Sequence, residues 1–206
     1  SEDCIDKTTE IVRTDYRVKL NRDFWLDKKN VIVLGHNSDC DEIMKGFAAF
    51  RCEWNYPDDV DDEILRVTVI DDTEHLDKMN HYRQYPFVAE TVVADIYDRE
   101  KIYETINRVI TYSDEDTSIL ILSDDNAKNE DIDANALANL IYVQDIINDK
   151  IKEAEKRGEV FDTGSIDVVV EIIDPKHHDI VNSYDINNVV ISNRYISKMI
   201  TQIGEK

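Results

Sequence analysis

The sequence predicts an α/β domain with a doubly wound, mostly parallel sheet of about six strands. Three observations predict it. Short runs of Val and Ile recur along the chain, several of them apolar on both faces, as strands covered by helices on both sides must be. Helical periods of apolar residues alternate with these runs. The run Val31–Leu34 ends in Gly35, a polar turn opens a helix, and the next run, Leu65–Ile70, ends in Asp71 and Asp72. That order of strand, glycine turn, helix and acid-tipped strand is how a Rossmann-type unit begins.

Residues 1–29 are polar and mixed. Ile11, Val12, Tyr16, Val18 and Leu20 suit one strand, so this segment reads as an N-terminal linker or an edge segment. Residues 30–206 read as one Rossmann-like domain, because no repeat and no Pro/Gly-rich linker divides them. Strands are predicted at 31–35, 65–71, 88–94, 118–123, 166–173 and 188–192. A helix at 39–51 sets Ile43, Met44, Phe47 and Phe50 on one face. Ser38 is its expected cap, with Asp41 where a capping-box acid stands. A short helix at 75–82 follows, then one at 99–110 carrying Ile102, Ile106, Val109 and Ile110. The longest, 132–157, keeps its period through Leu137, Leu140, Ile141, Ile147, Ile151 and Ala154. It ends at Lys156-Arg157-Gly158, where cations meet the negative helix end and glycine accepts a left-handed cap. A last helix is predicted at 194–203.

The chain has 206 residues, 45 of them acidic and 24 basic, for a formal charge of −21. Such a charge repels nucleic-acid phosphates and anionic membrane surfaces, and it suits cations. No apolar run approaches the roughly 18 residues of a membrane span, and the start has no signal-peptide pattern. Cys4, Cys40 and Cys52 are odd in number and form no C-x-x-C, which indicates neither a disulfide framework nor a zinc ribbon. A reducing compartment is expected.

In an open parallel sheet, ligands sit beyond the carboxyl ends of the strands. The candidate cofactor-binding residues at that rim are Gly35, His36, Asn37, Ser38, Asp71, Asp72, Ser123 and Asp124. The candidate metal ligands are Asp39, Asp71, Asp72, Asp95 and Asp124, carboxylates of the kind a hard cation needs. A G-x-G-x-x-G fingerprint would put glycines at 35, 37 and 40, but Asn37 and Cys40 hold the second and third places. The architecture therefore reads as sound and the dinucleotide chemistry as altered. The acidic runs 58–63, 113–116 and 124–130 lack EF-hand spacing and read as solvated loops. His36 and Cys40 have no third or fourth metal ligand in sequence and read as buried or capping residues. His177 and His178 are expected to be exposed in a turn; Tyr103, Tyr112 and Tyr142 are expected to pack helices. There is no G-x-S-x-G, no H-E-x-x-H and no P-loop, so no catalytic residue is named and no enzyme is expected.

Four segments in this order resemble the cytosolic regulatory part of CASTOR/POLLUX-type ion channels, whose Rossmann-like domains are related to RCK and TrkA-N domains. They are Val33–Met44; Ser118–Asp125; the helix Ala136–Asn148; and Val169-Val-Glu-Ile-Ile-Asp-Pro followed by Asn188–Ser197. The likeness spans about residues 30–203. It implies a ligand-sensing gating domain on the cytoplasmic face of a membrane, a fragment of a longer chain with transmembrane pore segments, assembled as a homo-oligomeric ring. Ca2+ is the ligand it implies, while the Rossmann-type turn and the rim acids themselves suggest a nucleotide such as NAD. The acidic insertion Tyr56–Glu63 departs from the family pattern, and no individual calcium ligand is carried over. The alternatives are an NAD(P)-dependent oxidoreductase or epimerase, and a scaffold that binds nothing.

Overall fold

A computed structural model describes residues 30–38, 40–53, 65–72, 75–111, 117–125, 127–128, 131–183 and 189–192. The expected strand in 10–20, the insertion 56–63, the helix at 194–203, Asp39 and Tyr112 lie outside the described residues.

Six strands form one sheet: β1 (Asn30–Leu34), β2 (Arg66–Asp71), β3 (Val88–Val93), β4 (Thr117–Ile121), β5 (Ile166–Glu171) and β6 (Val189–Ser192). Their order is β3-β2-β1-β4-β5-β6, and every neighbouring pair is parallel. Val31 pairs with Val67 and Ser118, and Leu34 with Ile70 and Ile121, so β1 lies at the centre in matched register. The helices are α1 (Cys40–Glu53), α2 (Leu76–Tyr82), α3 (Arg99–Thr111), α4 (Ala134–Lys156) and α5 (His178–Asn182).

Strand side chains alternate between two cores. Val31, Val33, Val67, Val69, Leu120 and Val169 share one core with Ile43, Met44 and Phe47 of α1 and Met79 and Tyr82 of α2. Ile32, Leu34, Ile70, Ile119, Ile121, Val168 and Val170 share the other with Ile102 and Ile106 of α3 and Leu140, Val143 and Ile146 of α4. The side changes where the chain crosses from β3 to β4. Right-handed crossovers require this when the strand order reverses, and the reversal leaves a crevice between the ends of β1 and β4. Ile32, Ile119 and Val168 are wholly buried, each worth about 1.5–3 kcal/mol of transfer free energy.

The caps differ in outcome. Gly158 has φ +70°, its N–H donates to the Glu155 carbonyl, and the Glu159 N–H reaches the Ala154 carbonyl, so α4 closes in the expected glycine cap. At α1, the Ser38 hydroxyl bonds the Asp125 carboxylate, and Asp41 pairs with Lys78 at 3.1 Å instead of closing a capping box. Tyr103 and Tyr142 do join helices, through their hydroxyls as well as their rings. Tyr103 donates to Asp149 of α4 at 2.8 Å, and Tyr142 donates to the Ile96 carbonyl before α3. Among the described residues, no helix is long and apolar enough to cross a membrane.

Candidate functional site

Gly35 begins the site. Its φ is +93°, and a Cβ there would stand 2.8 Å from the Leu122 carbonyl oxygen. Only glycine fits this close approach of the β1 turn to the end of β4. The turn lets the rim open into a cavity of about 270 Å3. Its walls include Gly35 and His36 after β1, Asp71, Asp72 and His75 after β2, Asp95 and Tyr97 after β3, and Asp124 after β4. Asn135 and Asn139 of α4 complete the wall. No Lys or Arg is among the described residues that line it. The volume is near the small end of ligand pockets, which start at about 300 Å3.

The predicted rim residues divide into two groups. Gly35, His36, Asp71, Asp72, Asp95 and Asp124 share the cavity. Asn37, Ser38 and Ser123 do not face it. Asn37 is buried, and its amide donates to Glu171 Oε1 at 2.8 Å. The Ser38 side chain turns to Asp125. Ser123 is wholly buried, and its hydroxyl reaches Asp133 Oδ1 at 2.6 Å and the Glu171 carbonyl at 2.8 Å.

Four amides of the turn after β1 already have acceptors. Gly35 N–H donates to the Ile70 carbonyl, Asn37 N–H to Cys40 Sγ, and Cys40 N–H to the Asn37 carbonyl. Ser38 N–H donates to the Asp125 carboxylate at 3.1 Å. A phosphate cradle needs such N–H groups turned toward its ligand. Here Asp125 supplies the anion from within the chain. Cys40, in the third glycine place, is packed in the core, and burial pushes its thiol up to about 12.

Histidines and acids crowd the end of β2. His75 Nδ1 lies 2.9 Å from Asp71 Oδ2 and 3.0 Å from Asp72 Oδ1. His36 stacks 4.4 Å from His75, and its Nδ1 is 3.3 Å from the Tyr82 hydroxyl. Burial lowers His36 to about 4 and raises Tyr82, so a neutral ring faces a protonated phenol. Burial raises Asp71 to about 6, against the pull of the Asp72 amide and His75. The candidate metal set gathers only in part. Asp71 and Asp72 converge with His75, their ligand atoms within 4.8 Å of one another, and neither Asp95 nor Asp124 belongs to that group. Asp95 Oδ1 instead accepts the Tyr97 N–H at 2.7 Å and the Asp98 N–H at 3.2 Å, holding the turn into α3.

Sequence reasoning passed over three buried or half-buried groups. His75 was absorbed into the helix pattern, although its place four residues after Asp71 is a spacing that lets two side chains meet. Glu171, wholly buried, closes β5. Asp133 is wholly buried as well and accepts from Ser123, from the Ile173 and Asp174 amides at 2.9 Å, and from His177 Nδ1 at 2.6 Å. Burial is the largest single influence on Asp133 and pushes it up, but the four donors together hold it below the usual carboxylate range. His177, expected to be exposed, is thus half-buried against Asp133.

No protein-family model matches the chain, and comparison with curated proteins gives no match. The likeness to channel regulatory domains rests on the four sequence segments alone.

Proposed function

We propose that this domain is a regulatory module that senses a small cationic solute at its sheet rim, as the ligand-sensing gating domain of an ion channel or transporter would. One observation carries the reading: Asp71, Asp72, Asp95 and Asp124 share a cavity with two histidines, and no Lys or Arg is among its described lining. A unit positive charge 4 Å from one carboxylate gains about 4 kcal/mol at an effective dielectric of 20. The chain's charge of −21 adds to that field. The same field, and a turn whose Ser38 amide already holds Asp125, disfavour the pyrophosphate of a dinucleotide. A solute bound more tightly by one arrangement of assembled domains than by another shifts the balance between them. That is how such a rim would act on a pore.

Thermal unfolding against a panel of Ca2+, Mg2+, transition metals, small organic amines, NAD, ATP and AMP tests the reading. A cation present at 100 times its dissociation constant adds about 2.7 kcal/mol of stability. Asp124→Asn should weaken that gain. Stabilisation by NAD or AMP without any by cations would overturn the proposal in favour of the oxidoreductase alternative. A flat panel would favour the scaffold.

A further inference from the structure

We infer that Asp71, Asp72 and His75 form a binding site for one divalent first-row transition metal ion, with open coordination positions facing the rim cavity. This deepens the cation-sensing proposal and rests on it.

The geometry is the first ground. Asp71 Oδ2, Asp72 Oδ1 and His75 Nδ1 come from the end of one strand and the turn that follows it, within five residues of sequence. Two of their separations are 2.9 and 3.0 Å. Tetrahedral ligands at zinc bond lengths of about 2.0–2.1 Å stand about 3.3 Å apart. The two distances from His75 Nδ1 lie within a few tenths of an ångström of that spacing, and all three ligand atoms lie within 4.8 Å of one another.

The second ground is independent of the clustering. Asp71 is 7% exposed and lines the cavity, and no donor meets its Oδ2 at hydrogen-bonding geometry among the described residues. His75 Nδ1 is 2.9 Å away, yet it too is enclosed without a well-directed hydrogen bond. One N–H at His75 Nδ1 would have to be shared between Asp71 and Asp72. An enclosed carboxylate oxygen without a directed donor is costly, and a metal ion between Asp71 Oδ2 and His75 Nδ1 would satisfy both, with the Asp72 carboxylate beside it as a further ligand.

The donor set selects the class of ion. One imidazole nitrogen with two carboxylate oxygens suits zinc, manganese, iron or cobalt. Calcium wants six to eight oxygens, and Asp95 is occupied in its own turn. His36, 3.9 Å from Asp71 through its Nδ1, walls the site on one side.

Isothermal titration of the chain with ZnCl2 in a non-chelating buffer tests this, with Co2+ absorption as the spectroscopic readout and Ca2+ as the comparison ion. One Zn2+ per chain should bind, and Co2+ should show the strong visible bands of a low-symmetry four-coordinate site. His75→Ala and Asp72→Asn should each weaken Zn2+ at least tenfold while circular dichroism shows both variants folded. His81→Ala, an exposed histidine outside the cluster, should leave binding unchanged. Equal Zn2+ affinity in wild type and His75→Ala, or no Zn2+ binding at all, would overturn the assignment. If Zn2+ fails while another cation still stabilises the wild type and loses that effect in Asp124→Asn, the metal site falls and the sensor reading stands.

Discussion

Replacing Asp133 by Ala should be among the most damaging single changes in the domain. The carboxylate joins the start of α4 to the ends of β4 and β5, and it takes four donors. Two of these have other partners. The Ser123 hydroxyl also reaches the Glu171 carbonyl at 2.8 Å, and His177, 24% exposed, can meet water. The amides of Ile173 and Asp174 have no second acceptor in this arrangement among the described contacts. Each hydrogen bond to a charged group is worth about 1.5–3 kcal/mol, which puts the loss at about 3–5 kcal/mol once some water enters the space. At about 2–4 °C per kcal/mol for a domain of this size, the midpoint should fall by about 6–20 °C. The carboxyl is held below its usual value of 3.8 in the fold. Its charge-dependent stabilisation is therefore present in full above the unfolded value and is lost as pH falls through the folded one. Urea unfolding followed by circular dichroism at pH 7, 5 and 3 measures both effects. The gap between wild type and variant should be wide at pH 7 and 5 and narrower at pH 3. A loss under 1 kcal/mol at pH 7, or a gap that widens in acid, would refute the reasoning.

Other outcomes follow from the same contacts. Gly35→Ala combines a positive φ with a 2.8 Å approach to a backbone carbonyl, so a loss of about 2–4 kcal/mol is expected in urea unfolding. Ile106→Ala, wholly buried between α3 and the sheet, should cost about 2–5 kcal/mol by the same measurement. Arg108→Ala removes the contact of Nη2 with both carboxylate oxygens of Glu90, but both side chains are a third or more exposed; a loss under about 1 kcal/mol, smaller still in high salt, is expected. NAD should leave the midpoint of the wild type unmoved in thermal unfolding, since the amide of Ser38 already holds Asp125.

The fold was legible because its signals are local. Ile32 and Val33 of one strand face different cores, so an unbroken apolar run could only be a strand covered on both sides. Leu140, Ile147 and Ala154 kept a helical period that survived into α4. The rim acids were legible for the same reason, since a parallel sheet places all its strand ends together. What was not legible depends on partners remote in sequence. Ser38 looks like a helix cap until Asp125, 87 positions on, takes its hydroxyl. Asn37 looks like a ligand contact until Glu171, 134 positions on, takes its amide. Asp133 looks like the first turn of a helix until β5 arrives beside it.

The grip of Ser38 on Asp125 also stitches the loop after β1 to the loop after β4 at the seam where the winding of the chain reverses. Beside that seam, Tyr97 lines the cavity after β3 and is 88% exposed. An exposed aromatic ring thus stands over an acidic hollow, and a partner packed on that ring would cover part of the cavity wall.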